Sequence, residues 1–101
     1  MKSLPPTVRA YRQTPVFSEG DVSAGLLAEY TTKSGTWARI VVLEGVLRYR
    51  IFTPVPEEVR LTPHRVGIVE PGVVHSVLPL GAVRFYVEFL REDNSTLSAG
   101  R

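Results

Sequence analysis

The chain of 101 residues has a mass of 11.2 kDa, which is enough for one hydrophobic core and too little for two. Its net charge is only +2 and its arginines are scattered, which argues against nucleic-acid binding. The absence of cysteine excludes disulfides and thiolate metal sites. No apolar run is long enough to span a membrane and no secretory signal is recognisable, so we expect a cytoplasmic protein without a membrane partner.

The composition favours strands over helices. The chain contains 15 valines and eight threonines, β-branched residues that suit extended strands. Eight prolines and eight glycines are spread along its whole length, where they would interrupt helices repeatedly. These features predict an all-β domain with short, mainly antiparallel strands.

The N-terminal part of the chain is predicted to be extended. Residues 1–23 include three prolines and are expected to form an arm with short strands at residues 8–11 and 15–17. Residues 24–30 fit either a helical turn or a strand. A polar connector follows and ends at a glycine.

The clearest local pattern consists of two β-rich runs, residues 36–43 and 46–52, on either side of Glu44 and Gly45. An acidic residue followed by glycine between two such runs is typical of a hairpin, so we expect the two runs to pair. Apolar and basic residues alternate in the second run, which predicts one buried face and one exposed face.

The later strands are short and are separated by turns that contain proline or glycine. They are predicted at residues 59–61, 66–69, 73–78 and 83–90. Short strands at this spacing are typical of an antiparallel sandwich or a small barrel. We expect a single domain at residues 1–91 and a flexible tail at residues 92–101.

His75 is the first candidate for a functional side chain. It alternates with Val73 and Val77 and therefore shares their face of the strand. It is either a metal ligand or acid–base group directed into the fold, or a partly buried histidine hydrogen-bonded by a neighbour. Glu70 precedes it across a Pro-Gly turn, where it would orient the imidazole, share a metal with it, or cap the turn amides.

Three further side chains each have two interpretations. Trp37 either packs in the core or lines a ligand pocket. Tyr86 and Glu88 lie opposite the apolar face of the last strand, and they either line a polar cavity or meet solvent or a partner. No nucleophile elbow, phosphate-binding loop or dinucleotide motif is present in the sequence.

Two segments resemble the motifs of the cupin superfamily. Residues 68–77, IVEPGVVHSV, resemble the second cupin motif, in which a strand and a Pro-Gly turn precede a histidine on the next strand. Residues 41–49, VVLEGVLRY, are similar to the end of the first motif with its glycine turn. The resemblance implies a cupin-type double-stranded β-helix, a jelly-roll barrel with mainly antiparallel strands.

Nearly the whole chain is similar to a small domain family that occurs alone and as the N-terminal domain before a tellurite-resistance methyltransferase. The similar segments are residues 14–17, 24–27, 32–37, 42–45, 69–71 with His75, and 85–89. The chain resembles the stand-alone form, so we expect no methyltransferase activity. The resemblance implies a cupin domain associated with tellurite or oxyanion stress.

The resemblance also suggests the members of a site. Metal-binding cupins use a His-x-His pair and a Glu before the hairpin glycine, whereas residues 30–38 contain no His, Asp or Glu, and Tyr30 stands where the family implies His. His75 with Glu70 is therefore expected to hold a divalent metal only weakly. Lys33, in a family-like segment, is either an anion or carbonyl contact or a plain loop lysine. The expected ligand-binding residues are His75, Glu70, Tyr30, Lys33, Trp37, Tyr86 and Glu88.

Together these observations favour a small binding or sensing protein whose ligand is a small molecule, an oxyanion or a weakly held metal. The alternatives are a metal-dependent cupin enzyme of the isomerase or oxygenase type, and a self-association module without a ligand. The missing metal ligands count against the enzyme. Many strand edges in a short chain also lead us to expect a homodimer.

Overall fold

The computed structural model describes residues 1–21, 35–52 and 55–92. These residues form eight strands and no helix, which confirms the all-β prediction. The strands are β1 (Val8–Gln13), β2 (Phe17–Ser18), β3 (Trp37–Glu44), β4 (Leu47–Ile51), β5 (Glu57–Leu61), β6 (Gly67–Val69), β7 (His75–Pro79) and β8 (Arg84–Glu92). The described part of the chain therefore contains no helix that could cross a lipid bilayer.

The strands form two antiparallel sheets that face each other. The larger sheet has the order β1-β8-β3-β6, with β2 also paired to β8, and the smaller sheet has the order β5-β4-β7. Alternate side chains of both sheets point inward and make one hydrophobic core. Its best-buried large side chains are Tyr49, Phe85, Leu47, Leu61, Val69 and Val83.

The predicted hairpin between the two runs around Glu44 and Gly45 is wrong. Strand β3 pairs with β8 and β6 in the larger sheet, whereas β4 pairs with β5 and β7 in the smaller one. Gly45 lies at the corner where the chain passes between the sheets, with a φ of +85°, and a Cβ there would lie 2.1 Å from the Ala82 carbonyl oxygen. An acidic residue and a glycine therefore mark a sharp change of direction correctly, but they do not determine whether the flanking strands pair.

The alternation predicted for the second run is confirmed. Leu47, Tyr49 and Ile51 are buried between the sheets, and Arg48 and Arg50 lie on the outer face of the smaller sheet. This register places the neighbouring β7 with its first residue opposite Ile51. The inner face of the smaller sheet thereby acquires the one histidine of β7.

The N-terminal segment completes the larger sheet. Strand β1 pairs along β8 with a bulge after Ala10, and the short β2 pairs further along the same strand. Strand β8 extends to Glu92, two residues beyond its predicted end. The predicted helical turn or strand at residues 24–30, and the tail from residue 93 onward, lie outside the described residues.

Candidate functional site

A cavity of about 110 Å³ lies between the two sheets. Strands of both sheets contribute to its walls, which are formed almost wholly by aliphatic and aromatic side chains. Its lining residues are Thr14, Phe17, Ala38, Ile40, Val69, His75, Val77, Phe85, Val87 and Phe89. Among these described residues, Thr14 and His75 are the two with polar side chains, so the cavity is an apolar space with few polar contacts.

His75 lies on the smaller sheet's side of this cavity. It is the first residue of β7 and points inward with Val77, and only 7% of its surface is exposed. Its Nδ1 lies 3.2 Å from the carbonyl oxygen of Val73. Because a carbonyl can only accept a hydrogen bond, Nδ1 is the donor, and the neutral imidazole then has an unprotonated Nε2.

Tyr49 supports the imidazole from the neighbouring strand. The two rings meet edge to face, with centroids 5.8 Å apart and planes at 80°. The Tyr49 hydroxyl is buried and donates a 2.9 Å hydrogen bond to the carbonyl oxygen of Ile68 in the opposite sheet. Burial, followed by the negative charges of Glu57 and Glu70, raises the pKa of Tyr49 well above its ordinary value, so the phenol stays protonated.

Thr14 fastens the link between β1 and β2 to the edge of the cavity. Its Oγ1 accepts a 3.0 Å hydrogen bond from the backbone N–H of Val87 and donates one of 2.9 Å to the carbonyl oxygen of Pro15. Its own backbone N–H donates to the Val87 carbonyl oxygen at 2.9 Å. Thr14 therefore acts in the structure as an anchor that holds the N-terminal segment against β8.

Glu70 is not among the residues that line the cavity, although its charge reaches Tyr49 beside His75, and ligand or metal binding by Glu70 stays a prediction. Its carboxylate lies 3.7 Å from Nζ of Lys2, and its backbone carbonyl accepts a hydrogen bond from the N–H of Val73 across the turn. The turn thus positions Val73, whose own carbonyl oxygen contacts His75. Tyr30 and Lys33, which the sequence also placed at this site, lie outside the described residues.

Trp37, Tyr86 and Glu88 lie on the outer face of the larger sheet. Cross-strand partners in an antiparallel ladder share a face, and the register pairs Trp37 with Leu90, and Glu88 with Arg39. Their sequence neighbours point the other way, into the cavity. Glu88 accepts hydrogen bonds from Arg39 at 2.6 and 2.7 Å. Ligand binding by these three residues stays a prediction.

The described residues do not form a metal centre. No group of three or more His, Asp or Glu side chains within residues 1–21, 35–52 and 55–92 is placed to hold an ion. His75 uses Nδ1 in a bond to a backbone carbonyl, and its cavity neighbours are apolar. A transition metal needs three or four protein ligands, so this donor set does not fit one.

Sequence reasoning missed most of the cavity wall. The alternating residues Phe85, Val87 and Phe89 of β8 were assigned to an apolar face, but not to a cavity. The signal was present in this alternation, since an aromatic-rich strand face opposite an inward histidine is suited to an internal pocket. What the sequence did not contain was the pairing of β8 with both β2 and β3, which brings Phe17 to the same wall.

Two facing antiparallel sheets around an apolar cavity, with a histidine on the strand after a Pro-Gly turn, form a cupin-like fold, in which the described strands do not close the predicted barrel. Solved structures of other proteins support this fold. The chain superimposes with a TM-score of 0.52 and 18% identity on the Cnp3 cupin domain of Schizosaccharomyces pombe, over 98% of this chain and 66% of that one. A protein from E. coli strain K12 matches with a TM-score of 0.83 and 18% identity, over 92% of this chain and 99% of that one.

The crystal structure of TehB from Haemophilus influenzae is also similar. It matches with a TM-score of 0.80 and 26% identity over 93% of this chain, which spans only 35% of the TehB chain. The TehB-like domain family matches residues 12–87. The chain belongs to the TehB-like domain family, as its sequence resemblance implied. No curated protein matches it.

Proposed function

We propose that this chain is a small-molecule-binding cupin domain, whose ligand enters the cavity between the sheets and contacts His75. The proposal is supported above all by the cavity, which both sheets line and which contains a fixed imidazole among apolar side chains. Pockets that bind small molecules commonly combine apolar walls with a few oriented polar groups. Binding or sensing is therefore the function that this geometry supports best.

The size of the cavity limits its ligand. Its volume of about 110 Å³ is smaller than the roughly 150 Å³ of an engineered cavity that holds benzene. A compact molecule with about five non-hydrogen atoms is consistent with this volume. A free oxyanion is disfavoured, because it would lose its hydration to walls whose described residues include no lysine or arginine.

The same lining favours binding over turnover. Acid–base catalysis commonly needs a second group to accept or donate the proton that the first one moves. Among the described residues that line the cavity, His75 is the one side chain with an acid–base group. The likeness to TehB covers about a third of that protein, so no activity of TehB is transferred to this chain.

The proposal is tested with xenon and pyrazole as probes. Their binding is detected by NMR, from the chemical-shift changes of the backbone amides. Xenon reports the apolar space, and pyrazole adds one hydrogen-bond donor and one acceptor. We expect both to shift amides of β7 and β8 in the native protein. Val87→Phe should abolish both effects because it fills the cavity, whereas Val41→Phe, on the opposite face of β3, should preserve them.

A second variant tests the role of the imidazole. His75→Ala should retain xenon binding and weaken pyrazole binding about tenfold, because a hydrogen bond is lost while the apolar space remains. Equal binding of both probes by native protein and Val87→Phe would show that the cavity is not the site. Stoichiometric zinc or nickel in the purified protein, lost in His75→Ala, would favour the metal-dependent alternative instead.

A further inference from the structure

The outer face of the smaller sheet presents a group of arginines, Arg48, Arg50 and Arg60, around a single carboxylate. The register of β4 against β5 places Arg48 directly opposite Arg60, and Arg50 directly opposite Glu58. Successive side chains of a strand alternate between faces, so all four project away from the cavity. Ser76 of β7 lies opposite Arg50 on the same face.

The carboxylate of this group, Glu58, interacts unequally with the three arginines. Arg50 Nη2 donates to Oε1 of Glu58 at 2.9 Å, and Arg48 Nε lies 4.0 Å from that same oxygen. Arg60, which is exposed, has no hydrogen bond or ion pair with any residue of the described ranges. The hydrogen bond from Arg50, and then the charges of Arg48, Arg50 and Arg60, lower the pKa of Glu58. Three guanidinium groups therefore surround one counter-charge.

The opposed pair Arg48 and Arg60 is unfavourable by itself. Directly opposite residues in an antiparallel pair have Cβ atoms roughly 5 Å apart, and like charges at that separation destabilise the sheet. A bound anion would remove this repulsion. Arginine suits an oxyanion because its planar fork donates two parallel hydrogen bonds to two oxygens, which a lysine ammonium cannot do.

We propose that Arg48 and Arg60, assisted by Arg50, bind a tetrahedral oxyanion of the sulfate or phosphate type on the outer face of the smaller sheet. This site is distinct from the cavity, because Tyr49 and His75 lie on the other face of the same sheet. The oxyanion is either free or the phosphate group of a larger molecule. A groove beside Arg50, lined also by Ile51, Phe52, Pro56 and the carboxylates of Glu57 and Glu58, offers apolar surface to the part of such a molecule that carries no phosphate.

The test is a titration of the native protein with sodium sulfate and sodium phosphate at constant ionic strength. Binding is measured by calorimetry and by the chemical-shift changes of backbone amides. We expect saturable binding that shifts the amides of β4 and β5. Arg60→Ala and Arg48→Ala should each weaken it about tenfold, through loss of charge-assisted hydrogen bonds. Arg84→Ala, an equal charge change at an exposed position of the larger sheet, should leave affinity within about twofold of native.

Two outcomes of these titrations would overturn the proposal. Equal weakening by Arg60→Ala and Arg84→Ala would mean that the anion responds only to net charge, and it would overturn the proposal, as would a titration without saturation. In low salt without oxyanion, Arg60→Ala should melt at a higher temperature than native protein, because the opposed charges are gone. Phenyl phosphate binding more tightly than phosphate would assign the oxyanion to a larger ligand that uses the groove, and equal binding would assign it to the free ion.

Discussion

The hydroxyl of Tyr49 connects the two sheets from within the core, since Tyr49 belongs to the smaller sheet and its acceptor, Ile68, to the larger one. Tyr49→Phe would leave the buried carbonyl oxygen of Ile68 without this donor. We expect a loss of about 1–3 kcal/mol in the free energy of unfolding, measured by urea denaturation. Tyr86→Phe, on the outer face of β8, is the matched control and should stay within about 0.5 kcal/mol of native.

The raised pKa of Tyr49 makes a prediction about alkaline pH. The folded protein holds the phenolic proton more tightly than the unfolded chain, whose tyrosines titrate near pH 10. The resulting contribution to stability is complete below pH 10 and is lost as the pH rises above it. Between about pH 9 and pH 11, the free energy of unfolding should fall more steeply for native protein than for Tyr49→Phe. Identical slopes for native protein and Tyr49→Phe would contradict the assignment.

Single residues differed in how far the sequence predicted their surroundings. The inward orientation of His75 followed from its alternation with valines, which is a local property of one strand. The contact between Glu70 and Lys2 did not follow from any local pattern, because Lys2 lies 68 positions earlier in the chain. Trp37 fitted either the core or a pocket, and it is half-buried on the outer face of its sheet, a position set by the pairing of β3 with β8.

At the scale of elements, the corner at Gly45 determines how β3 and β4 are separated into two sheets. Gly45→Ala would place a Cβ against a backbone carbonyl that cannot rotate away, in addition to a positive φ. Gly81 has a similar φ of +92°, but open space around its Cα, so Gly81→Ala is the matched control. We expect about 1 kcal/mol of destabilisation at Gly81, and more than about 3 kcal/mol or loss of folding at Gly45.

Thermal and urea unfolding of the two glycine variants measure this difference directly. If both variants lose the same stability, the close approach of Ala82 to Gly45 contributes nothing beyond the backbone conformation.

The corner also explains why the predicted hairpin was wrong. Strand existence and inward-facing residues follow from local alternation, whereas the choice of partner depends on β8, which begins 40 residues after β3 ends.

At the scale of the whole molecule, the strand edges and exposed apolar residues bear on self-association. In the described part of the chain, β5 and β7 form the two edges of the smaller sheet. Leu43 of β3 is also exposed, as are Val55 before β5 and Leu80 after β7. A small domain with such edges gains stability by burying them against a second copy. We expect sedimentation at micromolar concentration to give twice the chain mass of 11.2 kDa, and a mass of one chain would refute this.

Strand β8 pairs with β1, β2 and β3, so the larger sheet is organised around the last described strand to leave the ribosome. The N-terminal strands have no partner in that sheet until β8 has been synthesised, and during translation their backbone groups remain exposed to water and to chaperones. The ladders join residues as far apart as Val8 and Glu92, and such distant pairings slow the search for the native state. Refolding from denaturant should therefore take on the order of milliseconds to seconds rather than microseconds.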